Sequence, residues 1–415
     1  MSVVAYDPAQ LLADGVYQLR PLDLGAIPNK QWRVEEDVVT GYVQANLDTD
    51  IGLPMRGNLG LQVVHTDQSS TGPVAFNGAD IGAIITDGDT YTEVLPSLNL
   101  VFELNEDTFV RLGAARTLAR ARMDDLRASA GLGVSQRCGL IGPGGSFQFT
   151  PQNAQETCLS GGSGNPRLRP YSAESFDVSI ERYFADGLGY VSLAAFHKEL
   201  DNWVFGSVTR RVDGSEILDT AFGPGTAAAN PDAAIIAFSN AENTEGGYIR
   251  GLEFSLSLPG EAFLPEQFAG LGMFATYSIT DSEVQPPMAT DPITIPGLSE
   301  DLGNITVYYE RGGFEARVSN RWRSDFLAEL PDFTGQPDFR RAFDESIVDA
   351  QVGYEFLNGP LTGLAMQLQA SNLFDERFGT YIDNRNGVDL DDPERFARNW
   401  EEYGATYTLR LRYQR

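Results

Sequence analysis

The chain has 415 residues, 58 acidic against 30 basic side chains and a formal net charge of −28. Apolar residues make up 42% of it, alongside 43 Gly and 22 Pro, a composition that excludes collagen and full disorder. No stretch approaches 18 consecutive apolar residues, which excludes a transmembrane helix, and so acidic a chain cannot displace counterions from nucleic acid; membrane-crossing strands stay open, because their signature is alternation.

From the amino terminus, Met1-Ser2-Val3-Val4-Ala5-Tyr6-Asp7-Pro8 lacks the basic and apolar regions of a signal peptide. An exported protein without that signal predicts a fragment, and residues 1–33 are expected to be the remnant of an extracellular loop. From residue 34 onward the dominant period is two. Thirteen strand-like segments follow, near 34–47, 55–68, 90–104, 107–120, 172–185, 188–205, 246–258, 270–282, 301–310, 313–324, 346–357, 361–373 and 403–414. In 314–323, Phe314, Ala316, Val318 and Trp322 alternate with Glu315, Arg317, Ser319, Arg321 and Arg323. In 403–413, Tyr403, Ala405, Tyr407, Leu409, Leu411 and Tyr413 share one face, while Arg410 and Arg412 lie on the other. Runs of clear alternation such as these are about ten residues long, the length that crosses a bilayer at a tilt, against five or six for an average soluble strand.

The connections carry as much information as the strands. Short ones (48–54, 105–106, 186–187, 311–312, 358–360) alternate with long ones (69–89, 121–171, 206–245, 283–300, 325–345, 374–402), without exception if the intermediate 259–269 counts as short. Tight turns on one side and large loops on the other are the habit of a membrane barrel. Cys138 and Cys158 lie in the longest connection, too polar to be core; a disulfide across it implies an oxidising compartment and is worth about 3 kcal/mol. If the last strand runs inward, Trp32, Trp203, Trp322 and Trp400 all fall at outer strand ends. Phe102, Phe184, Tyr190, Tyr309, Phe314, Tyr354 and Tyr413 fall near periplasmic ends, forming a second girdle. Arg317, Arg321, Arg323, Arg410 and Arg412 are expected to face a polar lumen, because an arginine facing mid-membrane lipid costs roughly 2–4 kcal/mol.

Several stretches resemble one family: Gly41-Tyr42-Val43-Gln44-Ala45-Asn46, Pro54-Met55-Arg56-Gly57-Asn58-Leu59-Gly60, and Tyr91-Thr92-Glu93-Val94-Leu95-Pro96-Ser97-Leu98-Asn99-Leu100. Further along come Asn165-Pro166-Arg167-Leu168-Arg169-Pro170-Tyr171, Gly251-Leu252-Glu253-Phe254, Ser371-Asn372-Leu373-Phe374-Asp375 and Tyr403-Gly404-Ala405-Thr406-Tyr407. In this order they are similar to the carboxy-terminal barrel of TonB-dependent receptors, nearest to a proteobacterial subgroup associated with oligosaccharide uptake. The resemblance implies an all-β transmembrane up-and-down barrel in the outer membrane. Residues 34–415 would supply about 13 strands of a 22-stranded whole, without its plug. It also implies that lipid and a small solute are the partners, and that the TonB complex is reached only through the missing amino-terminal region.

No enzyme constellation emerges. His65 and His197 stand alone inside strands with no second metal-type ligand at spacing, and no cofactor is expected. The acidic run Asp389–Glu394 lacks the spacing of a calcium loop and reads as a solvated loop. Trp203, Trp322 and Trp400 are the candidates for stacking on a sugar, although an interfacial belt explains them as well. The competing readings are a passive porin-like channel and a secreted β-rich glycan-binding protein.

Overall fold

A computed structural model of the protein describes residues 13–16, 30–76, 79–134, 159–216, 219, 223–229, 234–287, 291–329, 339–383 and 397–414. Nineteen strands account for most of them. They are β1 (Arg33–Asp50), β2 (Pro54–Phe76), β3 (Ala79–Asn105), β4 (Thr108–Ala119), β5 (Ala130–Val134), β6 (Leu159–Gly162), β7 (Tyr171–Phe184), β8 (Gly189–Asp213), β9 (Ile235–Pro259) and β10 (Leu271–Val284). The rest are β11 (Asp301–Arg311), β12 (Phe314–Arg323), β13 (Phe326–Glu329), β14 (Phe339–Ala342), β15 (Glu345–Glu355), β16 (Leu364–Ser371), β17 (Phe378–Asp383), β18 (Ala397–Glu401) and β19 (Thr406–Tyr413).

Thirteen of these form one antiparallel meander in which each strand pairs with the next, in the order β1-β2-β3-β4-β7-β8-β9-β10-β11-β12-β15-β16-β19. The hairpin β5–β6 then joins the far ends of β2 and β9, running parallel to both. A circuit of pairings, β2-β3-β4-β7-β8-β9-β6-β5, thus closes the barrel at that end. Among the described residues β1 carries a ladder on one edge, to β2, and β19 on one edge, to β16.

The turns fall at one end and the loops at the other. At the turn end, Ala185 and Asp186 adopt left-handed backbone (φ 51° and 54°) ahead of Gly187, which lets β7 and β8 reverse within four residues. Two expected long loops are instead mostly ladder. β2 and β3 stay paired to Phe76–Ala79, so 69–89 is a tall hairpin, and β8 and β9 stay paired out to Asp213 and Ile235. The physical reason is that polar strand residues there are buried and satisfied. Gln68, 3% exposed, donates through Nε2 to the carbonyls of Pro166 (2.7 Å) and Leu168 (2.8 Å), and Ser70 Oγ accepts the Ala128 N–H. Polarity that looks like loop on the sequence is here the seat of a packed connection. Cys138 and Cys158 lie outside the described residues, as do the acidic run 389–394 and most of 1–33.

Cross-strand register sorts side chains onto two faces. One presents rows such as Leu61–Pro96, Leu112–Val178, Leu252–Ile279, Val307–Val318 and Leu368–Leu409, with Leu252, Val318, Leu368 and Leu409 at 47–64% exposure. The other presents Gln62, Ser97, Arg111, Arg317, Gln351, Gln367 and Arg410. Buried apolar clusters occur only at the loop end among the described residues. One joins Val74, Phe76, Leu132, Leu159 and Ile236; a second Leu126, Leu168, Val204 and Ala241; a third Val284, Ile293, Ile295 and Leu327. The turn end carries paired rings instead, Phe109–Tyr183, Phe184–Phe263, Tyr309–Phe314 and Tyr354–Phe356 at centroid separations of 5.0–6.1 Å.

Candidate functional site

The loop end is where polar chemistry concentrates. Two connections, 324–344 and 372–405, each contribute a hairpin to a small separate sheet in the order β13-β14-β17-β18. Its central pairing, Phe339–Ala342 against Thr380–Asp383, binds the two connections to each other. On one face Trp400 stacks on Phe343 (4.9 Å, 9° between planes), and Phe343 in turn meets Tyr381 at 4.7 Å. Gly379 makes room for this stack, since a Cβ there would lie 2.6 Å from the Trp400 ring. Beside it Arg341 donates through Nε and Nη2 to Asp325 Oδ2 (2.8 and 2.6 Å), and the Tyr381 hydroxyl donates to the same oxygen at 3.4 Å. Burial works against the Arg341 charge, but the Asp325 carboxylate outweighs it and the net effect raises the guanidinium pKa.

The opposite side of this sheet opens into a cleft of about 570 Å³, lined by Phe326, Ala328, Arg340, Phe378, Thr380, Arg398 and Asn399. Two guanidinium groups, an amide, a hydroxyl and two rings in one cleft can hold a polar solute carrying negative charge on an aromatic bed. Sequence reading missed this cleft. Strands of four to six residues are too short to show alternation, and the available signals, the Arg340-Arg341 doublet and Phe378-Gly379-Thr380, sit inside stretches expected to be loop.

The residues singled out from sequence are distributed rather than gathered. Trp203 packs against the third buried cluster and meets Tyr171 edge-on at 5.3 Å. Trp322 lies on the apolar face, in one row with Gly303 and Tyr277 and 6.2 Å from the Tyr277 ring. Trp400 alone belongs to the loop sheet, and the residue is 46% exposed. Of the arginines, Arg317 Nη2 donates to Gln351 Oε1 (3.0 Å), and Gln351 and Gln367 both donate to Glu315 Oε1 at 3.1 Å. Arg321 lies 3.7 Å from Asp349, Arg412 lies 3.9 Å from Glu355, and Arg410 stands opposite Gln367. Arg323 sits 3.7 Å over the Phe326 ring and donates to Ser299 Oγ (2.9 Å) and the Gly297 carbonyl (3.2 Å), tying the 285–300 connection to the wall.

The other half of the loop end is braced by ion pairs. Arg167 meets Asp87 at 2.8 Å and Arg169 meets Asp89 at 2.9 Å, pinning 165–169 to β3. The Arg167 guanidinium holds the Asp87 carboxyl below the ordinary carboxylate range, against a smaller opposing effect of burial. At Asp125 burial dominates, aided by Asp124, and raises the pKa.

Comparison with known proteins gives a consistent result. A family described as TonB dependent receptor-like, beta-barrel, matches residues 6–373. Among solved structures, the siderophore receptor PiuA from Acinetobacter baumannii shares 13% identity at a TM-score of 0.54, covering 92% of this chain and 44% of that one. A ferric enterobactin receptor (PfeA) variant from Pseudomonas aeruginosa shares 16% at 0.53, covering 83% and 49%, and the unliganded ferric citrate transporter FecA shares 12% at 0.53, covering 92% and 45%. At such identities the likeness is one of fold. The chain spans about half the length of the receptors it matches. Among curated proteins none matches. With its family match over most of its length and its meander of long strands, the chain belongs to the TonB-dependent receptor β-barrel family, a family of outer-membrane transport receptors.

Proposed function

We propose that this chain forms the wall and outer mouth of an outer-membrane receptor that takes up a scarce solute through TonB-coupled transport. The observation that carries the reading is the distribution of burial: every buried cluster among the described residues lies at the loop end, while the long strands keep an apolar face with no protein against it. A water-soluble barrel of this width would leave that face against water, whereas lipid solvates it. The polar face then lines the lumen, with Arg317, Arg321, Arg323, Arg410 and Arg412 inward, and Trp322 with Tyr277 forms part of the outer aromatic girdle.

In this reading the chain supplies thirteen strands of a larger, 22-stranded barrel, whose plug and TonB-contacting segment belong to a longer protein. Cys138 and Cys158 are joined across the largest loop; mass spectrometry of non-reduced protein should show two fewer hydrogens than the free dithiol, and two free thiols would remove that part of the reading. The solute is an oligosaccharide, with the exposed Trp400 ring as a sugar-stacking surface. A second reading, an anionic iron chelate, is favoured by Arg340 and Arg398 in the cleft.

The test expresses the protein, with and without a family plug joined ahead of it, in a strain lacking its own receptors. Uptake of radiolabelled maltohexaose and of ferric citrate is then measured with the proton-motive force intact and collapsed. Energy-dependent uptake only in the plug-bearing form supports the proposal, and the probe taken up decides the solute class. Equal leakage by both forms, insensitive to the proton-motive force, would instead indicate a passive channel.

A further inference from the structure

We propose that Asn372 is a positioning residue that fixes the loop sheet in place over the mouth; the inference rests on reading that sheet as solute-facing. Four crossings connect the sheet to the wall. Three are short, with two residues between β12 and β13, two between β14 and β15, and four between β18 and β19. The crossing from β16 to β17 is the longest, the six residues 372–377, and so the one whose course its flanking strands fix least.

Asn372 fixes that course. It adopts left-handed backbone at φ 53°, a conformation that asparagine tolerates better than other residues with a Cβ. Its side chain then reaches across the crossing in both directions: Nδ2 donates to the Glu376 carbonyl at 3.0 Å, and Oδ1 accepts the Glu376 N–H at 2.8 Å. Inside this clasp the Asp375 N–H donates to the Asn372 carbonyl at 3.0 Å, with Asp375 also left-handed at φ 54°. The clasp is moored to the wall through β15. The Asn372 N–H donates to Asp349 Oδ1 (2.9 Å), the Leu373 N–H to the Val348 carbonyl (2.8 Å), and the Ser346 N–H to Glu376 Oε1 (3.4 Å).

Packing holds this crossing only through the half-buried Leu373. Phe374, its one ring, is 72% exposed, so the direction in which the chain leaves the wall is set mainly by hydrogen bonds centred on one amide. That direction places Phe378 and Thr380 of the cleft and Tyr381 of the aromatic stack, two residues and more beyond the clasp. Among the described residues the β18–β19 crossing meets this one through a single exposed ion pair, Arg377 with Glu402 at 2.5 Å.

The experiment is hydrogen exchange on the full chain folded into detergent micelles, with no solute present. Asn372→Gly keeps the left-handed backbone accessible while deleting both side-chain bonds. Amides of Phe378–Asp383 and Phe339–Ala342 should exchange about tenfold faster, the effect of losing roughly 1.4 kcal/mol of net hydrogen bonding. Asn372→Asp keeps the acceptor for the Glu376 N–H and loses the donor, and should restore part of the protection. Phe374→Ser should change nothing in the sheet.

Exchange in Leu364–Ser371, the strand leading into the crossing, should stay at the wild-type rate. Unchanged sheet protection in Asn372→Gly would overturn the proposal. So would equal acceleration in sheet and wall, which would make Asn372 a general stabiliser rather than a positioning residue. Because no solute enters this measurement, its outcome is independent of whether maltohexaose or ferric citrate is transported.

Discussion

Replacing Val318 by Arg tests the assignment of the two faces more directly than any ligand experiment. Val318 sits fifth in the ten-residue strand β12, between Val307 on one neighbour and Ala350 on the other, and is 51% exposed. Ten residues at ~3.3 Å each give a strand of about 33 Å, which tilted at ~45° spans about 23 Å, close to the apolar band of a membrane barrel. Val318 therefore falls near the bilayer midplane, where an arginine costs roughly 2–4 kcal/mol. That is a loss of about 30- to 900-fold in the folding equilibrium. Ser319→Arg, one residue on, turns the same charge to the face where Asp349 stands opposite, and should cost under ~1 kcal/mol. Both variants and wild type would be unfolded with guanidinium chloride in phospholipid vesicles, following tryptophan fluorescence. A Val318→Arg loss below ~1 kcal/mol, or equal losses for both variants, would refute a lipid-facing apolar face.

Gly246→Ala should be poorly tolerated, because its Cβ would lie 1.7 Å from the Leu200 carbonyl oxygen and β8 would have to move away; overpacking of this kind costs about 1–3 kcal/mol or more, read as a lowered denaturation midpoint. Leu126→Ala empties a site that is 2% exposed in the second buried cluster; a loss of about 2–5 kcal/mol should appear as faster exchange around Leu168 and Ala241 rather than in β15 or β16. Asp87 is held below its ordinary pKa by Arg167, so its contribution is complete above about pH 3.9, the unfolded value, and is lost as pH falls through the lower folded value. Protection of the Leu168 amide should accordingly fall on acidification below pH ~4 in the wild type. In Asp87→Asn it should be weaker at neutral pH and flatter below, and identical profiles for the two proteins would remove the Asp87–Arg167 pair as a brace.

Much of the wall is legible in the sequence. Alternation places Val318 and Arg317 on opposite faces whatever the tertiary structure, because successive residues of a strand point to opposite sides, and each of the thirteen expected segments corresponds to a strand. The turn end was equally legible, since short connections between long strands leave the chain no choice but to reverse. Extent was not. The sequence puts Gln68 at the very end of its strand and Ser70 in the loop beyond it, and only the arrival of Pro166, Leu168 and Ala128 from a hundred or fewer residues away makes both part of a buried strand.

The candidate cleft lay further out of reach. Arg340 and Arg398 are 58 positions apart, in two different connections, and come together because β14 and β17 pair across them. Nothing local in a four-residue strand selects that partner. Likewise Trp203, Trp322 and Trp400 share a residue type and an end of the molecule, yet one packs against a buried cluster, one lies on the apolar face and one is stacked in the loop sheet. By itself the sequence determined the period of the strands, the face of each side chain and the end at which each connection falls, because these depend on neighbours one or two residues away. Tertiary structure alone decided how tall the hairpins stand, which loops zip together and which polar groups share a cleft, because those depend on backbone partners that no local pattern names.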